Sequence, residues 1–238
     1  MKLMTLKKRS RMPSSRLALQ EKEMRAKFLL SGSNPKRKVL SKNPAKIDAL
    51  LKKNIRAIGV DDGYFKPRTI GRTKIVAVLQ RVDGRIEGIL CSDVEIDGFD
   101  STSQIVKMLK DNQEKFLGQA EVIFLGGVNF AGFNIADVKT LHAELALPII
   151  IVFRKMPRMK KIFKALEKFP DASKRKELLK NAGRIYKADR ICFQCVGLRP
   201  YEARGLIKRF SIHSNLPEPV RIAHIVASAV TLGRSTAP

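Results

Sequence analysis

The chain has 238 residues and a formal net charge of +25, from 47 Lys and Arg against 22 Asp and Glu. With 44% hydrophobic residues it can bury a core, which excludes wholesale disorder. Its longest apolar run, residues 146–153, is too short to cross a bilayer, and its three Cys fit a reducing compartment. We expect a cytoplasmic protein with no membrane partner and a polyanionic partner, for which nucleic acid is the default.

The positive charge is concentrated in two segments. Residues 1–55 contain 16 basic and 3 acidic side chains, and residues 154–190 contain 14 basic and 4 acidic ones. All other residues together carry 17 basic and 15 acidic side chains and are almost neutral. Two basic segments on a nearly neutral body are typical of a protein that contacts phosphates at two places.

The first basic segment predicts an arm, because Ser, Pro and Gly breakers interrupt its Lys and Arg clusters. We therefore predict a basic N-terminal arm over residues 1–54 and a folded domain over residues 55–238, with a basic helical insert at 154–190. The arm residues that we expect to contact RNA are Lys7, Lys8, Arg9, Arg11, Arg16, Lys36, Arg37 and Lys38.

The domain begins with a predicted meander of three strands. Residues 55–62 form a buried strand, residues 73–82 alternate apolar and polar side chains, and residues 85–96 return after a tight Asp-Gly turn. Ser101 and Gln104 have the spacing of a capping box, which predicts the start of an amphipathic helix.

Strands and helices then alternate along the chain. Short apolar runs at 121–125 and 147–153 flank a helix near 135–145, which is typical of parallel strands joined by a helix. A further strand is predicted at 191–196, with helices near 201–210 and 219–232 after it. This order predicts an α/β, ribonuclease-H-like fold, in which helices flank a mixed sheet.

The basic insert predicts two helices. Met159, Ile162, Phe163, Leu166 and Phe169 form one apolar face, and a second helix covers about 174–179. Lysines lie away from that face, and we expect them to bind RNA. They are Lys160, Lys161, Lys164 and Lys168.

Carboxylates at strand ends are the candidate catalytic residues. Asp61 and Asp62 end the first strand, where a carboxylate can hold a divalent metal over a sheet crevice. Because side chains alternate along a strand, these two point to opposite faces and one of them is expected to serve the site. Asp93 and Glu95 share one face of the third strand, and two-metal nucleases need converging carboxylates. The alternative interpretation is a turn Asp and a solvated edge strand.

A polar stripe runs along the last predicted helix. Arg221, His224, Ser228 and Thr231 follow one another at spacings of three and four. The favoured interpretation is a buried helix whose polar seam is satisfied internally. The alternative is a seam that faces the acidic crevice.

Five ordered motifs carry a resemblance to a known family. They are Gly-Val-Asp-Asp-Gly-Tyr-Phe at 59–65, Gly-Phe-Asp-Ser-Thr at 98–102, Ala-Gly-Phe-Asn at 131–134, Arg-Lys-Met-Pro at 154–157 and Pro-Glu-Pro-Val-Arg-Ile-Ala-His-Ile-Val-Ala-Ser at 217–228. Together they resemble an archaeal family catalogued as domain of unknown function ninety-nine, which is considered similar to endonuclease V and ribonuclease-H-like. The resemblance covers roughly residues 55–235 and leaves out the arm.

The resemblance implies a set of acidic ligands that this chain does not complete. Asp61 matches the metal-binding Asp of the first strand, and the third-strand acid falls at Asp93 or Glu95. The family has Asp-Gly after the fourth strand, whereas this chain has Gly126 followed by Gly127. Because Gly has no ligand atom, a carboxylate that would bridge the metals is missing at Gly126, which predicts a disabled site.

We therefore predict a non-catalytic protein that binds structured RNA, an archaeal ribosomal protein built on a degenerate nuclease-like fold. Its partners would be rRNA and ribosomal proteins, with no cofactor. With 3 Tyr and no Trp, backbone and shape recognition is favoured over base stacking. The alternative is an endonuclease V-like nuclease that acts on DNA or RNA with Mg²⁺ or Mn²⁺ held by Asp61 and Asp93. A DNA-binding or repair accessory module is a third, weaker hypothesis.

Overall fold

Strand β1 (Arg56–Asp62) lies inside a sheet and is covered on both of its faces. In the computed structural model, which describes residues 54–67 and 69–238, Ile58 and Val60 belong to one apolar cluster and Ala57 to another on the opposite face. The predicted arm contacts, from Lys7 to Lys38, lie outside the described residues, so they stay predictions.

The large sheet has seven strands in the order β3-β2-β1-β4-β7-β9-β8. Besides β1, this sheet contains β2 (Arg72–Arg81), β3 (Ile86–Glu95), β4 (Val122–Leu125), β7 (Ile149–Phe153), β8 (Tyr186–Ala188) and β9 (Ile191–Val196). A separate two-stranded sheet is formed by β5 (Asn129–Phe130) and β6 (Asn134–Ile135). Strands β1 to β3 are antiparallel, β4 is parallel to β1, and β7 is parallel to β4. An antiparallel meander that continues into parallel strands is the ribonuclease-H-like order, and the predicted fold class is confirmed.

Helices cover both faces of this sheet. The helices are α1 (Ser101–Lys110), α2 (Val138–Leu145), α3 (Met159–Leu166), α4 (Ala172–Asn181), α5 (Pro200–Phe210) and α6 (Glu218–Leu232). Side chains of α1 to α4 pack with Ile58 and Val60, and those of α5 pack with Ala57 on the other face. Helix α6 crosses β1 at Gly59, where any Cβ would collide with the Pro219 carbonyl group, so a residue without a side chain lets the helix lie directly on the strand.

The predicted start of α1 is corrected, and the structure adds details of the strands that were not predicted. Asp100, rather than Ser101, is the N-cap residue of α1, and its side chain makes no capping bond to the helix. The Asp100 carboxylate instead accepts hydrogen bonds from the Glu95 N–H and from Arg72. Strand β9 is antiparallel to β7, a direction that the sequence left open. The short strands β5, β6 and β8 were not predicted, because two or three residues carry no readable periodicity.

The insert has the two predicted helices, α3 and α4. The apolar side of α3 packs against the core, and Lys160, Lys161, Lys164 and Lys168 are all exposed, as their spacing predicted. Among the described helices, none combines the length and apolar character that crossing a membrane requires.

Candidate active site

A cavity of about 370 Å³ opens at the carboxyl ends of the central strands. Asp61 and Asp62 enter it from β1, Gly126 follows β4 and Arg154 follows β7. The opposite wall comes from α6 and the segment after it, through His224, Ser228, Leu232 and Thr236. The carboxyl edge of parallel strands is where open α/β sheets bind their ligands, which makes this cavity the candidate site.

The Asp61 carboxylate is held by α6. His224 Nδ1 donates a hydrogen bond to Asp61 Oδ2 over 2.9 Å, and this bond raises the pKa of His224. The carboxylate also leans over the end of β4, where a Cβ on residue 126 would lie 2.7 Å from Asp61 Cγ. The absent side chain at Gly126 therefore makes room for Asp61 in this position.

Asp62 turns the other way and is the second acid at the cavity. Its Oδ2 accepts a hydrogen bond of 2.7 Å from the Ala131 N–H. Burial, and then the adjacent Asp61 charge, raise the pKa of Asp62 to about 7. The partners of Asp61 and Asp62 lie on opposite faces, as predicted, but both residues line the cavity because it sits at the end of the strand.

The polar stripe of α6 is divided between the two interpretations. His224 and Ser228 line the crevice, whereas Arg221 pairs with Glu218 and the hydroxyls of Ser228 and Thr231 donate to carbonyls of their own helix. Besides holding Asp61, His224 places Nε2 3.1 Å from Thr236 Oγ1, and the Thr236 N–H donates to Ser228 Oγ over 3.1 Å. One turn further, Thr231 Oγ1 accepts from the Tyr64 N–H over 2.8 Å. The Thr236 bonds tie the segment after α6 to the helix, and the Tyr64 bond joins α6 to the segment that follows β1.

The acids of the third strand do not reach the cavity. Asp93 forms an ion pair with Lys74 at 2.8 Å, and Glu95 forms one with Arg72 at 3.3 Å, all on the exposed edge of the sheet. Strand β3 is separated from β1 by β2, a distance of about 10 Å between strand axes. The predicted ligand pair of Asp61 with Asp93 or Glu95 is therefore not assembled.

Arg154 is a site residue to which sequence reasoning gave no role, although it counted toward the charge of the insert and begins the motif at 154–157. It is exposed, lines the cavity together with Asp61, and lies close enough to His224 for its charge to oppose the raised pKa of that histidine. The signal that could have found it is its position, directly after a buried parallel strand.

A divalent cation fits this cavity only as a partly solvated ion. Within residues 54–67 and 69–238 no three His, Cys, Asp or Glu side chains converge as a complete metal cage. Mg²⁺, however, is commonly held by one or two carboxylates, with water and substrate phosphate completing its octahedron. Asp61 and Asp62 match that simpler kind of site.

Comparison with known proteins is consistent with this geometry. The sequence profile of the endonuclease dU family matches residues 53–231. The chain belongs to this family. A UPF0215 protein of Methanopyrus kandleri is 36% identical over 192 residues, which cover 78% of this chain and 96% of that relative.

Solved structures also resemble this chain. A protein of unknown function from Archaeoglobus fulgidus is 34% identical, with a TM-score of 0.69 over 74% of this chain and 98% of that chain. The catalytic domain of human endonuclease V is 15% identical, with a TM-score of 0.48 over 91% of this chain and 96% of that one. The predicted relationship to an archaeal, endonuclease-related family is confirmed by the family match and its archaeal members.

Proposed function

We propose that the protein is a metal-dependent endonuclease that cleaves nucleic acid at the cavity of Asp61 and Asp62. The observation that carries the proposal is the pair of adjacent carboxylates beside the Arg154 cation, at the carboxyl edge of a ribonuclease-H-like sheet. Membership in the endonuclease dU family supports nuclease chemistry over the non-catalytic reading.

Each residue of the cavity has a separate role in this proposal. Asp61 and Asp62 would hold Mg²⁺ or Mn²⁺, which when bound supplies a Lewis acid that stabilises charge on phosphate oxygens. His224 donates to Asp61 and so keeps that carboxylate turned toward the cavity. Arg154 binds a phosphate of the substrate, because an exposed guanidinium beside two carboxylates reduces the repulsion between them and the polyanion.

The lysines of α3 extend the contact surface away from the cavity. The insert starts at Arg154, on the rim, and continues into α3, where Lys160, Lys161 and Lys164 are exposed, as is Lys168 just after the helix. A nucleic acid strand that leaves the cavity along α3 would meet these side chains in turn. Each phosphate contact contributes about −0.7 to −0.9 to the slope of log affinity against log salt. The arm over residues 1–54 remains a second proposed contact region.

Gly126 favours a second candidate function, the non-catalytic binding of structured RNA, as in an archaeal ribosomal protein. A chain without the carboxylate at this position would keep its basic surfaces and bind phosphates without cleaving them. The relatives' names do not point to a ribosome, whereas the family name points to an endonuclease.

A cleavage assay separates the two functions. End-labelled DNA duplexes that carry one deoxyuridine or one inosine, an unmodified duplex and a structured RNA are incubated with the full chain and with Mg²⁺, Mn²⁺ or a chelator. We expect cleavage that needs the cation, is lost in Asp61→Ala and is retained in Asp93→Asn, a matched change of an exposed carboxylate outside the cavity.

Two outcomes would contradict the nuclease proposal. One is cleavage that persists in Asp61→Ala, which would place the chemistry elsewhere or in a contaminant. The other is salt-dependent binding of structured RNA by a wild-type protein that cleaves none of the substrates, which would favour the second candidate.

A further inference from the structure

Arg175 of α4 is a cation of the basic insert that is buried instead of exposed, with 3% of its side chain accessible. Its Nε and Nη2 donate to the Asp171 carboxylate over 2.6 and 3.1 Å. Nη2 also donates to the Asp97 carbonyl over 2.8 Å, while Nη1 donates to the carbonyls of Gly98, over 3.2 Å, and Phe133. The five N–H donors of the guanidinium therefore all have an acceptor.

Two aromatic rings enclose the same guanidinium. Its carbon lies 4.1 Å from the ring centre of Phe99 and 4.5 Å from that of Phe169. Rings at these distances attract a cation through their quadrupole and keep water from its hydrogen bonds. Arg175 is thus unavailable to nucleic acid, unlike the lysines of α3.

The two loops that Arg175 joins both have unusual backbone conformations. Asp97 has a φ of 56° and Ala131 a φ of 43°, in the left-handed region that side chains disfavour. The Asp97 N–H donates to the Ala131 carbonyl and the Phe133 N–H to Asp97 Oδ1, each over 2.8 Å. Such conformations persist where the surroundings hold them, and Arg175 binds a carbonyl in each loop.

One of these loops supplies the hydrogen bond that orients a proposed site residue. The Ala131 N–H donates to Asp62 over 2.7 Å, so a rotation of that peptide would release the carboxylate. We infer that Arg175 is a positioning residue, which fixes the loops at 97–98 and 131–133 and thereby holds Asp62 toward the cavity. Its effect on catalysis rests on the proposed function, whereas its effect on the loops does not.

Arg175→Lys is the informative substitution. A lysine keeps the charge and much of the volume, but its ammonium cannot reproduce the planar fork that joins three carbonyls and a carboxylate. Lys180→Gln is the matched control, because Lys180 lies on the same helix and is exposed.

Two measurements test the inference. In hydrogen exchange, we expect the amides of Ala131 and Phe133 to exchange at least about tenfold faster in Arg175→Lys, with the amides of β4 and β7 unchanged and Lys180→Gln like wild type. In the cleavage assay, we expect kcat to fall in Arg175→Lys while KM stays constant, because Arg175 does not reach the substrate.

The outcomes separate this inference from the proposed function. Unchanged exchange at Ala131 in Arg175→Lys would overturn it, and so would exchange that rises equally throughout the sheet, since Arg175 would then support the whole fold. A fall in kcat that Lys180→Gln reproduces would overturn the catalytic part. If the wild-type protein cleaves nothing, the proposed function fails, and the exchange result still decides whether Arg175 holds the loops.

Discussion

Substitution of Gly126 by Asp would introduce the carboxylate that the resemblance implies at this position, and the structure predicts how much stability this change costs. The added Cβ would lie 2.7 Å from Asp61 Cγ, so the Asp61 side chain has to rotate away from its present place. Rotation breaks the charge-assisted hydrogen bond to His224, which is worth about 1.5–3 kcal/mol. Gly126→Ala carries the same steric cost without the new charge and is the matched control.

The second part of the cost is electrostatic. Two carboxylates about 4 Å apart repel each other by up to about 4 kcal/mol at an effective dielectric constant near 20. Because the Asp61 side chain is 14% exposed and the new one can turn partly to solvent, we expect about 1–3 kcal/mol of this repulsion to remain. Without divalent cations, Gly126→Asp should therefore unfold more easily than Gly126→Ala, and both more easily than wild type.

Divalent cations should narrow the stability gap between Gly126→Asp and Gly126→Ala, because only the Asp variant gains a metal-binding carboxylate. A third carboxylate strengthens the binding of Mg²⁺, and an ion present at 100 times its Kd stabilises the folded state by about 2.7 kcal/mol. Chemical denaturation of the three proteins, with Mg²⁺ and with a chelator, measures both effects. If Gly126→Asp and Gly126→Ala are equally stable in chelator and gain equally from Mg²⁺, then residue 126 does not face Asp61 as described.

Further changes test the acid pair, the insert, the arm and the phosphate contact. The pKa of Asp62 is raised to about 7, so the folded state binds a proton at this carboxylate more tightly than the unfolded chain does. The free energy of unfolding should therefore fall as the pH rises from about 4 to 7. Urea denaturation of Asp62→Asn at several pH values should lack this fall. Replacing Lys160, Lys161, Lys164 and Lys168 by Gln should leave the melting temperature nearly unchanged. It should reduce the magnitude of the slope of log affinity for nucleic acid against log salt by about 3. A variant that unfolds would show that these lysines lie on a buried surface. Deletion of residues 1–53 should give a folded body with a shallower salt slope, and an unchanged slope would remove the arm as a binding element. Arg154→Gln should weaken substrate binding without changing stability, and equal KM values for both proteins would refute a phosphate contact.

The fold could be predicted from the sequence largely because its first half follows local rules. The alternation predicted over residues 73–82 is not present, since residues 75–79 are apolar and buried without interruption. Asp83 and Gly84 nevertheless make a tight turn, and the strands at both sides can pair only as a hairpin. The direction of β9 could not be predicted, because α3, α4 and the hairpin of β8 intervene between it and β7 and local sequence does not report which way a chain returns.

Asp61 could be predicted as a site residue from the sequence, whereas its partners could not, because they are far apart along the chain. Alternation correctly indicates that Asp93 and Glu95 share a face, but it carries no information on how far that face is from β1. His224 meets Asp61 across 163 positions of sequence, so its spacing within α6 could not reveal which surface it faced. The raised pKa of Asp62 depends on burial that only the folded chain creates.

The segment after α6 has a practical consequence for handling the protein. Thr236 contacts both His224 and Ser228, and Pro238 lies on the wall of a smaller void shared by Asp61, Gly126 and Arg154. An affinity tag or fluorescent fusion appended after Pro238 would therefore emerge at the rim of the cavity and compete with substrate for entry. Any preparation with a tag after Pro238 should be compared with a cleaved one before low activity is attributed to the protein itself.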